Sequence, residues 1–177
     1  MASTNTLARV AHDLSLATWF GGSLMGAVGL NGATAKATDP AERTRLSSLG
    51  WARWSPVQLA ALGVHVVGGA ALIAGNRERI AADSATQINT VVKAAVTVVA
   101  MGATGYSGWL GKKVAEQAHE GAQGATEPSD DASKKLASAQ KQLQVVQWVI
   151  PALTGALVVL GAQQGEQQRG PKGLLDV

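Results

Sequence analysis

From Leu59 to Gly75 the chain carries one strongly polar side chain, His65. A helix at the surface of a soluble protein shows a polar stripe on one face. This run has none, so it must be covered on all sides by protein or by lipid. Three further apolar stretches accompany it, which places four spans at about 10–32, 55–74, 88–110 and 145–162. Each approaches the roughly 17–25 residues that a membrane-crossing helix needs. Charged residues make up 15% of the chain, against roughly 25% in soluble domains. They gather between the apolar blocks. The reading is an all-α integral membrane four-helix bundle, one membrane domain over residues 1–177.

The totals exclude several functions. There is no cysteine, so disulfides, thiolate metal sites and cysteine nucleophiles are absent. The net charge is +3, and no basic run interleaves with stacking aromatics, which argues against nucleic-acid binding. Ala33-Thr34-Ala35 resembles a signal-peptidase site. The long, glycine-rich stretch before it has Arg9 as its one basic residue, so we expect a retained span.

Basic residues orient membrane proteins. Lys36, Arg43, Arg45 and Arg53 follow the first span, and Lys112, Lys113, Lys134, Lys135 and Lys141 follow the third. The second loop has Arg77 and Arg79, and the tail Arg169 and Lys172. This predicts a plasma-membrane protein with loops one and three cytoplasmic and both termini outside. Trp51, Trp54, Trp109 and Trp148 fall at the loop-one and loop-three ends, an aromatic belt on one side. Ser55-Pro56 suits a helix start, Gly75-Asn76 a helix end, and Pro151 a kink within the fourth span.

Between spans three and four, residues 111–144 read as a cytoplasmic helical hairpin. Residues 114–123 extend the third helix. Pro128, Asp130 and Asp131 suit a new helix start. Ala132, Leu136, Ala139, Leu143, Val146 and Ile150 then recur at alternating steps of four and three, a coiled-coil-like stripe. Its expected role is packing within the chain. The glycines serve close packing in lipid: Gly22 and Gly26 on the first helix, Gly63, Gly68 and Gly69 on the second, and Gly102, Gly105 and Gly108 on the third.

Few groups can carry chemistry. His12, Asp13 and Lys93 form an intramembrane polar cluster at similar outer depth, where Asp13 and Lys93 either pair or each reach the interface separately. His65 lies near the middle of the second span. It is either a neutral ring satisfied by a neighbouring carbonyl or a haem or copper ligand. From the span limits, His12 sits about 3 Å deep and His65 about 13 Å deep, which argues against both clamping one haem. His119 lies in a loop. No nucleotide loop, HExxH or hydrolase elbow is present, so no catalytic residue is assigned.

His12, Trp19, Gly21 and Gly22 form an H-x6-W-x-G-G pattern. It resembles the first membrane helix of small bacterial proteins of the CopD-like copper-resistance and TMEM205-like (DUF4149) groups. The resemblance covers about 25 residues. The CopD-like group implies copper handling or contact with a copper protein, and the TMEM205-like group a four-span membrane location. Two functions follow as expectations. One is a non-catalytic accessory or scaffold subunit that binds other membrane subunits or itself within the bilayer. The alternative is metal or haem handling through His12 or His65. A solute transporter fits less well, because the midplane lacks polar groups and broken helices other than at Pro151.

Overall fold

The computed structural model describes residues 3–173, with side chains placed for residues 6–165. All of its regular structure is helical. Helix α1 (Ser3–Met25) continues through a π-turn at Gly26–Leu30 into a short α2 (Asn31–Thr34), with right-handed helical angles throughout. Helix α3 (Pro40–Gly75) follows after a tight link, then α4 (Arg77–Ala82) and α5 (Ser84–Glu116). A 3₁₀ turn (Ala118–Glu120) and an irregular segment lead to α6 (Lys134–Gly173).

Among the described residues three helices are long and apolar enough to cross a membrane: Pro40–Gly75, Ser84–Glu116 and the described part of α6, Lys134–Gly165. In α5 only 11% of the most apolar window is buried. Val67, Val91, Val98 and Val159 are all more than 60% exposed. Such an apolar belt is a liability in water and is ordinary in lipid. The first helix is not among the three, because Arg9, His12 and Asp13 and its hydroxyl residues lower its apolarity.

Several boundaries differ from the sequence reading. The second long helix begins at Pro40, with Asp39 as its cap accepting from the Ala41 N–H at 2.9 Å. Aspartate followed by proline is a strong start signal. Ser55-Pro56 is therefore interior, and loop one shrinks to a link at residues 35–39. Asn76 does end this helix as expected. Beyond the third span the helix stops at Glu116. The next begins after Ser133, whose hydroxyl accepts from the Leu136 N–H at 3.2 Å, so Asp130 and Asp131 precede it without starting it. The hairpin helices are short, but the predicted stripe packs: Leu136 and Ala139 are buried against Leu110 and Val114, with Ala132 and Leu143 alongside.

Residues 121–133 fold back over the end of the bundle. Gly121 has φ +76° and passes so close to Pro40 that a Cβ there would lie 2.9 Å from the proline's Cβ. The Ala122 N–H donates to the Pro40 carbonyl at 3.2 Å. Gln140, fully buried, donates to the Gly124 and Ala125 carbonyls at 3.2 and 3.3 Å. Arg43 binds the Ala37 carbonyl at 2.6 Å and reaches the Ala122 and Gln123 carbonyls. Both connections at this end of the bundle are thus tied together.

Helix α1 lies along α3 and also packs on α6, and α5 packs on α6. Leu16, Trp19, Leu62, Ala100, Ile150 and Leu157 form the core between them. The α1–α3 seam places Gly68 against the His12 backbone, Gly22 under the Trp54 ring and Gly26 under the Trp51 ring. The expected Gly22/Gly26 packing is present, with indole rings as the partners. Gly155 meets Phe20 in the same way between α6 and α1. A Cβ at Gly63, Gly102, Gly105 or Gly108 would meet nothing within 4 Å, so these four do not serve packing within the chain. The tryptophan belt also divides. Trp109 and Trp148 are half exposed, while Trp51 and Trp54 turn inward onto α1.

Candidate functional site

Two polar regions stand at opposite ends of the bundle. The first joins the candidates read from sequence. The rings of His12 and His65 stack with centroids 4.1 Å apart and planes inclined by 28°. Trp19 meets His65 edge-on at 5.9 Å. The two histidines share a depth, contrary to the offset inferred from span limits. The reason is that α1 starts at Ser3, well before its apolar stretch, so the His12 ring lies roughly 14 Å from the Ser3 end of α1 and the His65 ring roughly 15 Å from the Gly75 end of α3 at 1.5 Å per residue. Glycine makes the stack possible: a Cβ at Gly68 would lie 3.0 Å from the His12 Cβ.

Within this group His12 Nδ1 lies 3.0 Å from the Asp13 carboxylate, and His65 Nδ1 lies 3.4 Å from the His12 carbonyl. The second contact is the carbonyl-satisfied histidine considered from sequence. Lys93 donates to Gln164 on α6, so it does not pair with Asp13. It still lies within electrostatic reach of Asp13 and Arg9. The group thus fastens α1 to α3 and α5 to α6 at the end of the bundle away from the folded-back segment. Among the described residues no three His, Asp or Glu side chains group as a metal site. Face-to-face stacking is also not the end-on approach of two imidazoles to a haem iron.

The second region was missed from sequence. Asn31 is buried at the centre of a hydrogen-bond hub that joins three helical rods. Its Oδ1 accepts from Ser47 Oγ at 3.1 Å and Trp51 Nε1 at 2.9 Å, and its Nδ2 donates to Gln147 Oε1 at 2.9 Å. Gln147 in turn donates to Thr126 in the folded-back segment at 3.3 Å. The π-turn aims Asn31. In a regular α-helix a residue five positions past Gly26 would point roughly 140° away from it. The bond from the Asn31 N–H to the Gly26 carbonyl closes an i→i+5 turn that brings both to the same face. A glycine-rich GAVGL stretch before an asparagine was the available signal.

Beside this hub α3 and α5 enclose a cleft of about 280 Å³. Trp51, Trp54 and Gln58 line one wall, Thr104, Ser107 and Gly108 the other, with Gln147 and Ile150 of α6 below. Gln58 is 9% exposed. Its Oε1 accepts from Trp54 Nε1 at 2.9 Å, but its Nε2 has no partner. A buried donor left unpaired costs roughly 1–3 kcal/mol.

No protein-family description, curated protein or solved structure matches this chain.

Proposed function

We propose that this chain is a four-span plasma-membrane protein with a non-catalytic role, an accessory or scaffold subunit of a larger membrane assembly. The observation that carries this reading is the outward face of α5. Gly102 and Gly105 are exposed there, and a Cβ on either would meet nothing within 4 Å. In lipid, small residues on an open helix face admit close approach of another helix. Exposed Val98, Val99 and Tyr106 flank them. A helix of another subunit fits this face, and a second copy of the chain is the other candidate.

Support for a fourth span comes from the α1–α3 seam. It runs from Gly68 down to Gly50, where a Cβ would meet Leu30. That is roughly 27 Å at 1.5 Å per residue, close to the thickness of a bilayer core. The outer face of α1 presents exposed Leu7, Leu14, Met25 and Val28. A helix lying along a crossing helix over that length crosses with it. In this proposal the lysine- and arginine-rich end, with the short hairpin, is cytoplasmic and both termini are outside.

The test is purification from native membranes in mild detergent, with co-purifying proteins identified by mass spectrometry. Retained partners, lost in Gly105→Leu without a change in unfolding, support the proposal. A monodisperse monomer that brings nothing with it sinks it.

The histidine stack favours a second reading, metal handling of the kind the CopD-like resemblance implies. Three residues of that pattern, His12, Trp19 and Gly22, face the packed side of α1. Both Nδ1 atoms are engaged, which leaves the Nε2 atoms as donors to a copper ion. Copper that binds the purified protein and is lost in His12→Ala and His65→Ala would establish this reading. Equal binding by the variants would remove it.

A further inference from the structure

We propose that the cleft between α3 and α5 is a binding site for a membrane-dissolved, mainly apolar molecule carrying a carbonyl-type hydrogen-bond acceptor. This goes beyond the scaffold proposal and does not depend on it, since the cleft lies on the opposite side of α5 from Gly102 and Gly105 and is tested in the isolated protein.

Three features of the cleft point to this chemistry. The first is its size, about 280 Å³, just under the range of roughly 300–1,000 Å³ usual for small-molecule pockets. The second is its position. It lies between two apolar helices, α3 and α5, with the folded-back Ala125 and Thr126 among its walls. A ligand therefore reaches it from the lipid side between α3 and α5. The third is its polar balance. The asparagine hub beside it is satisfied internally, as are Thr104, which donates to the Ala100 carbonyl at 2.8 Å and accepts from Trp19 at 3.1 Å, and Ser55, which donates to the Trp51 carbonyl. Gln58 Nε2 is left as a buried donor without an acceptor.

The amide orientation of Gln58 is fixed by its neighbour. Trp54 Nε1 donates to Oε1, so a flip that turned Nε2 away would set two donors against each other. The donor is thus held within a cleft walled by Trp51, Trp54 and the open side of Gly108. A carbonyl oxygen supplies the missing acceptor, and an apolar or aromatic body fills the space against the indoles. An acyl ester of a phospholipid and a lipid-soluble quinone both offer this chemistry.

The experiment uses the full chain in nanodiscs, carrying Trp109→Phe and Trp148→Phe to remove the two half-exposed tryptophans outside the cleft. Trp51 and Trp54 then report occupancy, while Trp19 is fully buried behind the Thr104 wall and does not line the cleft. Two probes are titrated: a decyl-substituted benzoquinone, which quenches indole fluorescence, and a phospholipid brominated on its acyl chain. Saturable quenching by either probe is expected, and the responding arm identifies the source. Gln58→Met should weaken that binding about tenfold, the weight of one net hydrogen bond. Gly108→Phe, which places a ring in the open space, should abolish it. Quenching that is absent or unsaturable in both arms, or is unchanged by Gln58→Met, overturns the proposal and leaves the cleft to water or bulk lipid. Gln58→Met decides the matter alone should the phenylalanine variant not fold.

Discussion

Asn31 shows how much one side chain can hold in this bundle. Replacing it with leucine keeps the volume but strands the Ser47 hydroxyl, the Trp51 N–H and the Gln147 carbonyl oxygen. Hydrogen bonds between membrane helices average roughly 0.6 kcal/mol each, so Asn31→Leu should cost about 2 kcal/mol in detergent unfolding. A loss near zero would mean that lipid or water replaces the hub. Gly22 makes a different demand, for space. A Cβ there collides with the six-membered ring of Trp54. Gly22→Ala should lower stability in the same assay, and adding Trp54→Leu should recover part of the loss because it vacates the space. Failure of that rescue would locate the cost in the α1 backbone. Neither residue type announces its role in sequence. Gly22 was legible as a packing position, but its indole partner depends on how α3 is rotated.

The π-turn works through register, so its test is a length change. Val28 lies within it and is 58% exposed, so deleting it removes little packing. The deletion turns the π-turn into a regular α-helical turn with Asn31 four positions past Gly26, roughly 40° from it, so Asn31 stays on the core face. Its cost should be well below that of Asn31→Leu, and combining the two should cost close to the sum of the single losses, as expected when the deletion leaves the hub in place. A deletion that costs as much as Asn31→Leu, with no further loss in the double variant, would show that the π-turn itself is needed to aim Asn31. At the start of α5, Asp83 caps the helix by accepting from the Thr86 N–H at 2.9 Å. The Thr86 hydroxyl, then its N–H, holds the Asp83 carboxyl below the usual carboxylate range. A depressed folded-state value means that the cap contributes fully above the unfolded value near 3.8 and is lost as pH falls through the folded one. Hydrogen exchange in the first turn of α5 should therefore hardly change from pH 7 to about 5, after correction for intrinsic rates, and protection should fall below about pH 4. In Asp83→Ala protection should be low at every pH.

At the level of the whole molecule, the number of crossings sets which surfaces face which side of the membrane. The chain has no cysteine, so single cysteines report sidedness cleanly. Four crossings require cysteines at Arg77 and in an N-terminal tag to react with an impermeant maleimide from one side, and Lys36 and Asp130 from the other. If α1 does not cross, the tag reacts from the Lys36 side. The helical class, the apolar belts and the packed stripe from Ala132 to Ile150 were readable because periodicity and composition are local properties of the chain. The helix starts at Pro40 and Lys134 were harder, since polar extensions of membrane helices carry no hydrophobic signal.

What the sequence determined alone is the solvent: stretches such as Leu59–Gly75 have no polar face, so an all-helical protein with helices fit to cross a membrane follows from backbone hydrogen bonding in lipid. What only the tertiary structure decided is which polar groups meet. The His12–His65 stack depends on where α1 begins, the Asn31 hub on a five-residue turn, and the cleft at Gln58 on the space left between α3 and α5. Each arises from the relative rotation and depth of helices far apart in sequence, which local patterning does not encode.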